Sequence, residues 1–453
     1  MKTAPPHDFR PGPAADTPRG GRTLCEDRSG VRAVWSLARR AIAAIALVAA
    51  VGHGSQAAAE DWPRWRGPRA DGTWHAPDLP ERWPAEGLTI RWRVPLGGGY
   101  AGVVAVADRV YTMDRQTAPD EVERVVAFDA ETGRVAWSHE YPVRYDTLDY
   151  GNGPRAAPTI HEGRVYSFGA LGHCRCLDAA TGRLIWSHDF TEAQGRRLQE
   201  WGLAASPVVW GDLVIVHPGL EPAGCYVALD RRTGAEVWRS GNDPAGYATP
   251  IVVQHAGEPL LVAWTPLHVL GMSPATGEIY WSFDYEVTYG VSIATPIYED
   301  GLIVVSGYWE GSKAIRLGAT PRHAQLAWEE NRFLRGLMSQ ALVRDGYGYL
   351  LDKHHGLICF ELATGRKLWD DGNRLTRRDR NPQATLVWTG ADDRILALNA
   401  EGELVLARIN PQGYTELSRT SLLGPTWAHP AYAGRMVFAR SDEELVAAWL
   451  SSP

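Results

Sequence analysis

An eleven-residue pattern recurs five times along this chain, and no other feature limits its fold as tightly. AFDAETGRVAW (Ala127 to Trp137) and ALDRRTGAEVW (Ala228 to Trp238) share Ala-x-Asp-x-x-Thr-Gly-x-x-x-Trp. CLDAATGRLIW (Cys176 to Trp186), CFELATGRKLW (Cys359 to Trp369) and GMSPATGEIYW (Gly271 to Trp281) are near copies. Thr-Gly supplies the positive φ and the local side-chain hydrogen bond that a tight hairpin turn needs. Upstream of each copy a Pro or small residue leads alternating apolar residues, an Asp/Gly turn and a second β-rich run, as in APTIHEGRVYSFG (Ala157 to Gly169). These units start near Val103, Pro158, Pro207, Pro250, Pro296, Ala341, Thr385 and Pro430, at intervals of 55, 49, 43, 46, 45, 44 and 45 residues. Two later units have decayed: Ala314 to Trp328 lacks Thr-Gly, and Ala397 to Leu404 lacks Thr and Trp.

Each unit reads as four short strands, and a four-stranded unit of this length repeated radially is a propeller blade. Eight starts therefore predict an all-β, eight-bladed β-propeller. The last unit, Ala428 to Leu450, supplies only three strands. LTIRWRV (Leu88 to Val94) resembles the repeat's fourth strand and places Trp92 in its Trp slot. An N-terminal strand is therefore expected to close the last blade and cover an edge that would otherwise be free. The repeat also explains why the chain holds Trp 19 but only Phe 8 and Met 5.

Charge and patterning divide the chain. Residues 1–59 carry eight Lys and Arg against four Asp and Glu, leaving −11 on the remaining 394. An acidic body without a basic run is a poor ligand for polyanions, so no nucleic acid partner is expected. Arg39 and Arg40 precede an apolar run, Ala41 to Val51, followed by Ala57-Ala58-Ala59. That run is too short to span a bilayer and matches a secretory signal with a small-residue cleavage site. Residues 1–59 thus read as a signal peptide with a long N-terminal extension, 60–84 as a Trp- and Pro-rich N-terminal segment, and 85–453 as the propeller. A periplasmic or secreted monomer with no membrane span is expected. No Cys lies near the cleavage point to carry a lipid, and Cys174, Cys176, Cys225 and Cys359 have neither zinc nor haem spacing. Cys174 and Cys176 share one face of a strand, where they are expected to be small buried residues.

The eleven-residue pattern resembles the tryptophan-docking repeat of pyrroloquinoline-quinone (PQQ) propellers, a family holding quinoprotein dehydrogenases and BamB-like outer-membrane assembly factors. The strings DWPRWRGPRADG (Asp61 to Gly72), YDTLDYGNGPRAAP (Tyr145 to Pro158), YWEGS (Tyr308 to Ser312) and WAHPAYAG (Trp427 to Gly434) are similar to secreted PQQ-like repeat proteins of planctomycete-type bacteria. The resemblance implies that Trp92, Trp137, Trp186, Trp238, Trp281, Trp328 and Trp369 dock neighbouring blades and are structural. It also implies two functional classes. A working quinoprotein dehydrogenase holds Ca²⁺ with Glu, Asn and Asp around PQQ and usually carries a Cys-Cys pair. This chain has no such pair. The expected function is a non-catalytic, BamB-like binding or scaffold propeller without cofactor, metal or catalytic residues. The alternative is a PQQ-dependent dehydrogenase with Ca²⁺ and an atypical site.

Phosphate-loop, nucleophile-elbow and zinc-protease motifs are absent from the sequence. Position offers a better guide. In a propeller the residues just before each innermost strand converge on one mouth of the central channel. Three positions before each start stand Tyr100, Arg155, Ala204, Tyr247, Ile293, Met338, Pro382 and Trp427, with Asp149, Tyr150, Asn152, Trp201, Tyr289 and His429 nearby. Tyr100, Asn152, Arg155, Tyr247, Tyr289, Trp427 and His429 are therefore the candidates for a concave funnel that takes a polar or carbohydrate-like ligand. A partner protein is the other expected occupant. The sequence leaves open whether Asp61 to Pro84 packs on the propeller and which mouth Trp309 faces.

Overall fold

The Thr-Gly turns form as their chemistry dictates. Asp129 Oδ1 accepts the backbone N–H and the hydroxyl of Thr132, both at 2.8 Å, which lets Gly133 take φ +71°. Asp178 with Thr181 and Asp230 with Thr233 repeat the device. In this computed structural model the described residues are 60–451, apart from 77, 147 and 194–198. The expected signal peptide at 1–59 lies outside them.

The strands form eight four-stranded antiparallel sheets, each built from consecutive strands except the last. The innermost strands of blades 1 to 8 are Val104–Val106, Thr159–His161, Val208–Trp210, Ile251–His255, Ile297–Glu299, Leu342–Arg344, Ala384–Trp388 and Ala431–Ala433. Each begins within one residue of the start read from the repeat. In blade 8 the outermost strand is Ile90–Pro95, paired antiparallel with Glu444–Trp449. The ring is closed as expected, by an N-terminal strand.

Each docking tryptophan bridges to the next blade. The Nε1–H groups of Trp92, Trp137, Trp186, Trp238, Trp281, Trp328 and Trp369 donate to the carbonyls of Ala130, Ala179, Arg231, Pro274, Pro321, Leu362 and Asn410, at 2.9 to 3.2 Å. The rings of Trp92, Trp137, Trp186, Trp238 and Trp328 also cover the glycine of the neighbouring turn, Gly133, Gly182, Gly234, Gly277 and Gly365. A Cβ placed on Gly182 would sit 2.5 Å from the Trp137 ring, so Gly is required there by space as well as by φ.

Blade 7 has no Trp in the docking slot of its outermost strand, and the N-terminal segment covers that junction. Trp83 N–H donates to Ser418 Oγ at 3.0 Å, on the outermost strand of blade 7. Leu79 and Trp83 are buried in one cluster with Leu404 and Leu406 of blade 7 and Tyr432 of blade 8.

Before reaching that junction the segment passes through the centre of the ring. Trp62 pairs with Ala105 of blade 1, and Ile160 of blade 2 donates to Pro63 O at 2.7 Å. The chain turns over residues 64–70 and descends, with Trp388 donating to Gly72 O at 2.8 Å and Trp74 donating to Trp388 O at 2.9 Å. Tyr432 of blade 8 lies between the Trp62 and Trp74 rings, at 5.4 and 5.5 Å. The segment thus packs inside the channel as a plug and satisfies backbone groups on inner strands that face no neighbouring strand.

Candidate functional site

The plug turns the central channel into a blind funnel. Its floor is Trp65, Gln340 and His429, with the Trp65 and His429 ring centroids 4.1 Å apart. Trp65 Nε1–H donates to Thr295 Oγ1 at 2.8 Å, just before the inner strand of blade 5. Above this floor opens a cavity of about 420 Å³. Seven of the eight residues read three positions before the blade starts line it: Tyr100, Arg155, Ala204, Tyr247, Ile293, Met338 and Trp427. The eighth, Pro382, does not, although its neighbours Asn381 and Gln383 do.

Of the named candidates, Tyr100, Arg155, Tyr247, Tyr289, Trp427 and His429 come together in the funnel. Asn152 does not line it. Its Oδ1 accepts from Leu148 N–H at 2.9 Å, so the side chain is turned into its own loop, where it fixes the approach to blade 2. Trp309 proves to face this mouth, and Trp65, Tyr308, Arg380 and Asn381 join it without having been singled out. The repeat could not reveal Trp65, because the plug lies outside the repeating units.

One wall is a stack of rings. Tyr100 and Trp427 lie 5.8 Å apart at 29°, and Tyr150 packs on Trp427 at 5.3 Å. Tyr100 Oη–H donates to Tyr150 O at 2.6 Å, and the Arg155 guanidinium lies 5.5 Å from the Tyr100 ring. That guanidinium is occupied in holding the loop: Nη1–H donates to Gly153 O and Nη2–H donates to Gly151 O at 2.6 Å. Across the funnel, Tyr289 and Trp309 are 5.3 Å apart, and Tyr308 Oη–H donates to Arg380 O at 2.6 Å. Asn381 Nδ2–H donates to Tyr150 Oη at 3.1 Å, joining loops 231 residues apart over the mouth. Tyr150 and Tyr289 both have left-handed backbones, φ 60° and 58°, an unfavourable state for an aromatic residue that clusters at binding sites. Tyr289 is 72% exposed and Trp309 41%.

Proton transfer near neutral pH would call on a base such as the His429 imidazole on the floor. Burial and the Arg66 charge hold the His429 imidazole down to about 3, too weak a base for that role. Burial raises the Tyr100 and Tyr247 phenols, and burial lowers Arg155. Asp149 Oδ2 accepts from Trp201 Nε1–H at 3.1 Å. Among the described residues no three His, Cys, Asp or Glu side chains form a group that could hold a metal, and Cys174, Cys176, Cys225 and Cys359 are free and buried. The carboxylates that line the funnel are Asp149 and Glu200. The wall guanidinium of Arg155 already bonds backbone carbonyls.

Fold and site together define an eight-bladed propeller with a plugged, aromatic funnel. The family model described as outer membrane protein assembly factor BamB matches residues 84–224 and 223–452, and the chain belongs to that family. Among solved structures it is similar to BamB from Moraxella catarrhalis, with 19% identity, a TM-score of 0.55 and coverage of 80% of this chain and 97% of that one. A europium-containing methanol dehydrogenase gives 12% identity, a TM-score of 0.61 and coverage of 85% and 90%. The quinohemoprotein alcohol dehydrogenase from Comamonas testosteroni gives 13%, 0.62, and 92% and 85%. At these identities the likeness shows the fold. No curated protein matches the chain.

Proposed function

We propose that this protein is a non-catalytic binding propeller working outside the cytoplasm, and that a saccharide-like ligand, polar at its edges and flat on its faces, occupies the blind funnel. The observation that carries this reading is the pairing of exposed aromatic platforms, Tyr150 and Trp427 against Tyr289 and Trp309, around a floor closed by the chain itself. Apolar ring faces with a few convergent polar groups are the ordinary make-up of a small-ligand pocket, and a closed floor removes water from one side of the ligand. Two observations support binding over catalysis: burial and the Arg66 charge hold His429 down to about 3, and among the described residues no three His, Cys, Asp or Glu side chains form a group that could hold a metal. Among the described residues no helix is long and apolar enough to cross a membrane. The family's description as an assembly factor favours a second reading, in which the occupant is a segment of a partner protein.

Titration with neutral oligosaccharides tests the proposal. Trp309→Ala and Tyr289→Ala remove exposed rings, so each is expected to weaken binding about tenfold, roughly 1.4 kcal/mol, without moving the melting temperature. Saccharide binding that ignores both substitutions, or none at all beside saturable binding of unstructured peptides, removes the saccharide reading.

A further inference from the structure

Gln383 breaks the repeat at a buried position of the funnel wall. One residue after those that stand three before the blade starts, six blades carry Ala, blade 6 carries Ser339 and blade 7 carries Gln383. The alanines, Ala248 and Ala294 among them, and Ser339 are buried and do not line the funnel. Gln383 is as buried as they are, at 2% exposed, yet it does line the funnel. Ser339 fixes which end of its amide faces inward. The Ser339 hydroxyl oxygen accepts from Ala384 N–H at 3.0 Å, and its proton is donated to Gln383 Oε1, also at 3.0 Å. Gln383 Nε2 is left to the cavity without a partner among the described residues, and it can only donate.

On one side of Gln383 the approaches to blades 5 and 6 bring Val291, Ile293, Leu337 and Met338 to the same cavity, all apolar. Gln340 among them is already committed, its Oε1 accepting from Thr295 N–H at 2.6 Å and its Nε2–H donating to Met338 O at 2.8 Å. On the other side stand the Trp427 ring and the neutral His429. A group that meets Nε2 must accept a hydrogen bond and lie against aliphatic surface. A carbonyl oxygen beside a methyl group has both properties, and covering that methyl with aliphatic side chains is favourable. A hydroxyl instead brings a proton that the aliphatic side chains cannot accept, and burying it unpaired costs free energy.

We propose that the funnel takes an acetylated saccharide, with the acetyl oxygen accepting from Gln383 Nε2–H and the acetyl methyl against Ile293 and Met338. This rests on the reading of the funnel as a saccharide site and narrows it from neutral saccharides at large to those that carry an acetyl group, whether as an amide or as an ester.

Calorimetric titration with two pairs of neutral trimers is the first readout: N-acetylated chitotriose against cellotriose, and O-acetylated xylotriose against xylotriose. In at least one pair the acetylated trimer is expected to bind about tenfold tighter than its counterpart, and the pair that shows this distinguishes amide from ester. Gln383→Leu is expected to remove the preference. Because that variant leaves the Ser339 hydroxyl without its acceptor and could fail to fold, crystals of the unaltered protein with the tighter trimer provide the deciding measurement. The acetyl oxygen is expected within hydrogen-bond reach of Gln383 Nε2. Equal affinities within both pairs, or an acetyl group bound away from Gln383, overturn the acetyl assignment and leave the saccharide reading standing, whereas no binding of any of the trimers overturns both.

Discussion

A docking tryptophan contributes through its ring, through one hydrogen bond and through the glycine it covers. Replacing Trp186 by Ala removes all three at the junction of blades 2 and 3, where its indole donates to Arg231 O and its ring covers Gly234. The cost is expected at about 3–5 kcal/mol, read as a shift of the urea midpoint. Trp186→Phe keeps most of the ring and loses one hydrogen bond to a carbonyl that Arg164 and Tyr166 also reach, so a smaller loss of about 0.5–1.5 kcal/mol is expected. Buried histidines contribute to the acid limit, His217 among them with His429. Burial holds the His217 imidazole down to about 3, with Nε2 accepting from Gly246 N–H at 3.3 Å. The unfolded chain protonates this group near its ordinary value of about 6.5, so the stability it confers is present above that pH and is lost as pH falls toward 3. The slope is about 1.4 kcal/mol per pH unit, and urea unfolding at pH 7, 6 and 5 should show it flattened in His217→Gln. Trp137, Trp186, Trp238, Trp281 and Trp369 are legible in the sequence because each stands at a fixed offset from Thr-Gly, and Trp92 and Trp328 because they fill the same slot of the repeat. His217 is not, because nothing in its neighbours along the chain shows that it will be enclosed.

Among elements, the closing strand and the plug differ in how far the sequence reveals them. Ile90–Pro95 could be placed because blade 8 lacks a fourth strand and Trp92 fills the repeat's slot. Asp61 to Gly72 repeats nothing, so periodicity could not place it, although its Trp-rich composition set it apart. Its path follows from inner-strand backbone groups of blades 1, 2 and 7 that need partners, and from Gly72, whose Cβ would meet Leu342 at 2.7 Å. A chain beginning at Leu88 keeps the closing strand and loses the plug. It is expected to retain the propeller's circular dichroism, to melt lower, and to open the floor now made by Trp65. A chain beginning at Leu96 also loses the closing strand and bares the edge of Glu444–Trp449, so size-exclusion chromatography should show self-association.

At the scale of the whole molecule, repetition makes the funnel legible. Equal phase in eight units means that residues three before each start meet at one mouth, and seven of those eight line the cavity. The irregular loops escaped this reasoning: Trp309 and Tyr308 lie within blade 5, Asn381 belongs to a long connection, and Asn152 turned inward to cap Leu148. The same ring serves proteins with quite different tasks, so the fold does not choose among them and the funnel's side chains must. The proposed function rests on those side chains and is binding without redox chemistry. Calorimetric titration of the protein with PQQ, with and without Ca²⁺, tests that claim most directly. No heat and no thermal shift are expected in either condition, whereas saturable, calcium-dependent binding near micromolar or tighter would contradict it.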